Sequence, residues 1–345
     1  MLLVLIAILA PLTTTNAAAR IAIVNLDGPN EGFNDPTPFT PMGGNFATTL
    51  GQARLNAFQY AADRIALLLN SSVEIRVDAQ INSLGGSANS AILGAAGPRT
   101  AYANFPNAPQ QFTWYPAALA DKLAGSDRNP TIPDISAEFN GDVDNNVVLG
   151  TSDWYYGLDG SPPGGDIDFV TVVAHELLHG LGFLTLVDLN TGAKFNGFDD
   201  AYMLHLEDHS TIKNFPSMTD AERVTAITDT GDLHWTGAQI TARIGSLAQG
   251  VSGNHVEMYA PSTVQPGSSV SHFSTSLFPN NLMEPFYSGP NHNAALVAYL
   301  LEDIGWGAPN IGPGDADLEV TLQESVDPIV VGANLTYTAT VTNNG

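Results

Sequence analysis

TVVAHELLHGLGFLTLVD, residues 171–188, sets His175 and His179 four positions apart, with Glu176 beside the first. On a helix that spacing projects both rings from one face, with Cβ atoms roughly 5–6 Å apart, suited to gripping one ion. An apolar approach, FVTVVA, leads into the pair, and Gly180 and Gly182 let the chain turn sharply away after it. Two imidazoles are one short of a catalytic site, which takes three protein ligands and keeps a further position open. Six residues past His179 stands Thr185, which is not a usual ligand.

The rest of the composition narrows who can supply the third. Among 345 residues there is no cysteine, so thiolate ligands, disulfides and a cysteine nucleophile are excluded, and any metal must be held by His, Asp or Glu. Hydrophobic content of 44% with 13% charged residues describes a folded protein. A net charge of −24 argues against a nucleic-acid groove or an anionic membrane surface as the main partner. That charge reads first as solubility, with calcium binding or a saline habitat as other sources.

Residues 1–19, MLLVLIAILAPLTTTNAAA, read as a secretory signal: an apolar run from Leu2 to Ala10, a polar stretch, then small residues. The run is shorter than the roughly 20 apolar residues a membrane span needs, and no later segment is long and apolar enough to anchor the chain. Export to the medium or the cell surface follows as the expectation. Alternation in ARIAIVNLD (19–27) predicts a strand, and Leu55, Phe58, Ala62, Ile65 and Leu69 recur at helical spacing. Val73, Ile75 and Val77 alternate with Glu74, Arg76 and Asp78, predicting a strand with one wet face. The breaker-dense DGSPPGGD (159–166) delivers the chain to Asp166 or Asp168, either able to cap the helix that carries the histidines.

Imidazole suits zinc, which with three protein ligands lowers the pKa of its remaining water to about 7. Glu176 follows the first ligand and can lie against that water, taking its proton as general base and returning it to a leaving amine. Without the metal, the same residues describe a buried helix with two satisfied core histidines.

AHELLHGLGF resembles the active-site helix of the zincin metalloproteases, in particular the metzincins related to leishmanolysin. In compact metzincins the third histidine falls where this chain has Thr185; leishmanolysin-like enzymes bring it from far downstream, before a methionine-bearing turn. GSSVSHFSTSLFPNNLMEPFYSGP, residues 267–290, has that arrangement, with His272 eleven residues before Met283. The resemblance therefore implies His175, His179 and His272 as zinc ligands, Glu176 as catalytic base and Met283 as the Met-turn residue beneath the metal. It implies an α+β, two-subdomain zincin fold around a central zinc helix, with a mixed sheet in residues 20–182 and a more irregular part in 183–308. Protein or peptide substrates would run through the cleft, and the enzyme is expected to act as a monomer. Lack of cysteine departs from leishmanolysin itself.

A Gly/Pro linker, 309–316, precedes strand-like residues 317–345, which resemble the start of an immunoglobulin-like repeat of bacterial surface proteins. Fewer than thirty residues are too few for such a sandwich, which needs about 100, so the tail reads as a truncated repeat. The rival reading is a non-catalytic, zinc-braced surface adhesin, against which an intact Glu176 counts. Of the other histidines, His205 and His209 are four apart and read as an exposed helical pair, with Glu207 a conceivable third ligand from a later helix. His234, His255 and His292 read as lone residues committed to packing or solvent. The loops NGDVDNN (140–146) and FNGFDD (195–200) could hold Ca2+ through carboxylate oxygens, but neither matches the EF-hand pattern and solvated turns are the preferred reading.

Overall fold

A computed structural model describes residues 19–309 and the backbone of two strands further on, 318–324 and 337–343. The expected leader and linker, and the tail's turns, lie outside the described residues. The chain divides into two compact units, Met1–Pro309 and Asn310–Gly345.

In the first unit β1 (Ile21–Asn25) runs parallel to β2 (Ile75–Asn82), joined by α1 (Leu50–Leu67). The β2 strand runs parallel to β4 (Ile135–Asn140), and β3 (Gly94–Pro98) closes the sheet antiparallel to β4, in the order β1-β2-β4-β3. Between β3 and β4 lies α2 (Ala117–Ala124). The α1 face is built of Ala53, Ala57, Phe58, Ala61, Ala62 and Ile65, all buried. Its many alanines let it lie closely against α3 (Phe169–Gly180), the helix of the histidine pair. Burying a residue such as Ile65 fully contributes roughly 1.5–3 kcal/mol.

One strand departs from expectation. Ile75 and Val77 of β2 are buried as predicted, while Val73 precedes the strand and is half-buried; on the opposite face Arg76 is half-buried, but Asp78 is buried and pairs with Arg99 at 2.9 Å. With neighbours on both edges, β2 lies in mid-sheet, and Arg99 gives its buried carboxylate a partner.

At the start of α3 the cap is Asp168 rather than Asp166, accepting from Thr171 N at 2.7 Å. His292 Nε2 donates to the same carboxylate oxygen at 2.8 Å, and the Asp168 N–H donates to Tyr287 Oη at 2.9 Å. Nearly every residue of α3 is buried, as expected of a helix apolar all round. Its far end is shaped by glycines. A Cβ on Gly180 would stand 2.5 Å from Ile135 Cγ2 of β4, and Gly182 has φ +119°.

Beyond α3 the chain builds a second, antiparallel sheet from short pieces: β5 (Leu206–Asp208), β6 (Lys213–Asn214), β7 (Leu233–Trp235), β8 (Val251–Ser252) and β9 (His255–Glu257). Their order is β6-β5-β7-β9-β8. His205 and His209 are therefore not a helical pair: His205 ends a single 3-10 turn and stacks on Trp235, while His209 follows a strand. A last helix, α4 (Ala295–Leu301), leads to Trp306, whose Nε1 donates to Leu181 O at 2.9 Å. Phe183, Tyr202, Trp235, Phe273 and Trp306 belong to the same continuous core as α1 and the first sheet. The first unit is thus mixed α and β with several sheets.

The suspected calcium loops are occupied from within. Asp144 accepts from Arg54, Tyr156 and Trp154 N; Asp142 from Ser83 and Gly85 N; Asp199 pairs with Lys194; Asp200 accepts from Thr185, Leu186 N and Met203 N. In the second unit, β10 (Leu318–Glu324) pairs antiparallel with β11 (Tyr337–Asn343). Among the described residues no helix is long and apolar enough to cross a membrane.

Candidate metal centre

One face of α3 carries His175 and His179, whose Nε2 atoms lie 3.2 Å apart. His272, ninety-three residues after His179, brings its own Nε2 to 3.1 Å from the first and 3.2 Å from the second. Each ring is held from behind: His175 Nδ1 donates to Leu282 O, His179 Nδ1 to Phe183 O and His272 Nδ1 to Ser268 O, all at 2.8 Å. A carbonyl only accepts, so all three Nδ1 atoms carry the proton. A neutral imidazole has one proton, and the three Nε2 atoms are left with lone pairs converging on one point.

Protonation does not relieve that convergence. Burial foremost pushes all three rings below the usual histidine range, and the neighbouring rings add to it for His179, at about 3, and for His272. Three acceptors crowded together call for a cation. Tetrahedral zinc with Zn–N bonds of about 2.0–2.1 Å sets its nitrogen ligands roughly 3.3–3.4 Å apart, close to the observed triangle. The carbonyl behind each ring is the outer support that metal-ligating histidines ordinarily have.

Glu176 is 8% exposed and not part of the triangle. Burial pushes its carboxyl up to about 8, opposed by the Ala96 N–H of β3. A cation held by the histidines would lower it again. The side chain fits because β3 is nearly bare here: a Cβ on Gly94 would stand 3.2 Å from Glu176 Cγ.

Met283 is fully buried in a turn closed by Asn281 N donating to Glu284 Oε1 and Glu284 N to Asn281 O. The turn serves two of the three histidines: Leu282 O receives His175, and Met283 O receives the N–H of Phe273, next to His272. Thr185 is outside the site. Its hydroxyl donates to the buried Asp200 at 2.9 Å, and its N–H donates to Ser271 Oγ at 3.3 Å. Glu207 and His205 are likewise outside, Glu207 on β5. The three supporting carbonyls had no signal in the sequence, since every residue has one.

Comparison of the chain with protein-family models, curated proteins and solved structures returns no match.

Proposed function

We propose that the chain is a zinc-dependent endopeptidase of the zincin type, leishmanolysin-like in its ligand order, exported behind the leader at 1–19. The observation that carries this reading is the set of three Nε2 lone pairs within 3.2 Å of one another, each fixed by a backbone carbonyl behind its ring. Zinc held there would act as a Lewis acid on a substrate carbonyl and acidify water to a pKa of about 7.

The chain's own groups supply the rest. Glu176, one residue from a ligand and walled by β3, is the carboxylate that takes a proton from the attacking water and returns it to the departing amine nitrogen. Among the described strands β3 pairs with β4 alone, so apart from the Ala96 N–H, which faces Glu176, its outer edge offers backbone N–H and C=O groups. An extended peptide can add to that edge as a further strand, and the small side chains of Gly94, Ala95, Ala96 and Gly97 leave room for it. The same strand touches Glu176, so docking and chemistry share one element.

A casein zymogram of the full chain, with and without chelator, tests the reading. Clearing that chelator abolishes and zinc restores is expected. A metal-loaded, folded chain that clears no substrate would favour the zinc-braced binding module.

A further inference from the structure

A second group of metal-ligating side chains lies on one face of the β5–β9 sheet. Glu207, His209 and His255 present donor atoms all within 4.8 Å of one another. His209 Nε2 stands 3.0 Å from Glu207 Oε1 and 3.0 Å from His255 Nδ1. His209 Nε2 carries at most one proton, so it cannot donate fully along both lines, and the other contact must be filled by its partner's proton or by a cation.

The register explains why these residues meet. Glu207 of β5 lies directly opposite His234 of β7, and His234 opposite Glu257 of β9. His209 is two residues beyond Glu207, and its N–H continues the ladder to Asp232 O. His255 is two residues before Glu257. With a side-chain period of two, all five share a face. Glu257 is committed to Ser276, which donates to it at 2.5 Å. His234 is committed to nothing: it is fully buried, its ring centroid is 3.8 Å from that of His209, and neither ring nitrogen has a hydrogen-bond partner. Leaving such a group unsatisfied costs roughly 1–3 kcal/mol, and a ligand at this face is what would use it.

We propose that Glu207, His209 and His255 form a second metal site, with the unpartnered His234 ring packed against His209, for a zinc-class divalent cation. Two imidazoles and one carboxylate suit zinc, nickel or copper, whereas calcium and magnesium take oxygen ligands. The site ties β5, β7 and β9 together across the segment between His179 and His272. It also steadies the first centre, because β9 leads directly into the His272 segment: Tyr259 N donates to His272 O, and Ser274 N to Glu257 O, each at 2.9 Å.

The full chain, stripped by chelator and titrated with Zn2+ alone, tests this through metal content after gel filtration. Two zinc ions per chain are expected. A His209→Ala/His255→Ala variant should keep one, and His272→Ala should keep the other. Glu207→Gln preserves side-chain shape, so it separates ligation from folding; it should weaken one of the two ions by at least about tenfold. Unchanged stoichiometry and affinity in both second-site variants would overturn the proposal. Should the parent bind a single ion that only His209→Ala/His255→Ala loses, this proposal stands and the three-histidine reading falls.

Discussion

Replacing His272 by alanine removes one of three converging nitrogens, and the structure assigns it different consequences with and without metal. Without metal the variant loses a ring that is 4% exposed and its 2.8 Å bond to Ser268 O, but it also relieves the crowding of lone pairs at 3.1–3.2 Å. The first two losses together amount to about 3–5 kcal/mol, offset in part by that relief, and this cost is the same in zinc and in chelator. With metal, a parent site held at 1,000 times its dissociation constant gains about 4 kcal/mol, and a two-histidine remnant gains almost none. At about 2–4 °C per kcal/mol for a domain of this size, zinc should raise the parent's melting temperature by roughly 8–16 °C. It should barely move that of His272→Ala. The measurement belongs in a His255→Ala background, so that the second cluster adds nothing, with melts followed by circular dichroism in zinc and in chelator. If His272→Ala kept the full zinc-induced rise while Thr185→Ala lost it, the ligand assignment would be refuted.

Glu176→Gln should retain stoichiometric zinc and lose peptide hydrolysis by about 10²–10⁴; metal content and turnover on one sample decide, and near-parental turnover would remove Glu176 from the chemistry. Gly182→Ala forces φ +119° on a residue with a Cβ and brings that atom to 2.9 Å from Ile304 Cδ1. A cost of about 1–3 kcal/mol should appear as a lower melting temperature, and an unchanged melt would show that the turn relaxes freely. Asp121 is pushed up to about 7, by burial first and then by the Asp134 carboxyl beside it. Its folded value lies above its unfolded one, so the stability it contributes is complete below about pH 4 and is lost as pH rises through 7. The total is on the order of 4 kcal/mol. Asp121→Asn, which mimics the protonated acid, should flatten the melting-temperature profile between pH 5 and 8, and a parental slope in that variant would discount the group.

What the sequence could disclose depended on how local each signal was. The spacing of His175 and His179, the cap at Asp168 and the apolar face of α1 are each set within one or two helical turns, and each is readable from neighbours alone. The β3 strand was not readable. Its sequence, GAAGP, has the composition of a loop, and it is extended because β4 pairs with it, a contact some forty residues away. The second sheet was hidden for the same reason. Strands of two or three residues give too short an alternation to see, so His209 reads as the helical partner of His205 and its strand spacing to Glu207 goes unnoticed. That His234 and His255 join them depends on registers between segments more than twenty residues apart.

The anchoring of α3 has a consequence for how the protein comes to life. The helix is begun by Asp168, whose surroundings come from Tyr287 and His292, and finished at Leu181, whose carbonyl is taken by Trp306. Each of these partners is made more than a hundred residues after the helix itself. A chain still emerging from the ribosome therefore carries its histidine helix without the clasps that hold it in shape. The histidine helix is therefore fully clasped only once the final stretch of the first unit is delivered, and on the proposed peptidase reading that order of synthesis would delay activity until the chain is nearly complete.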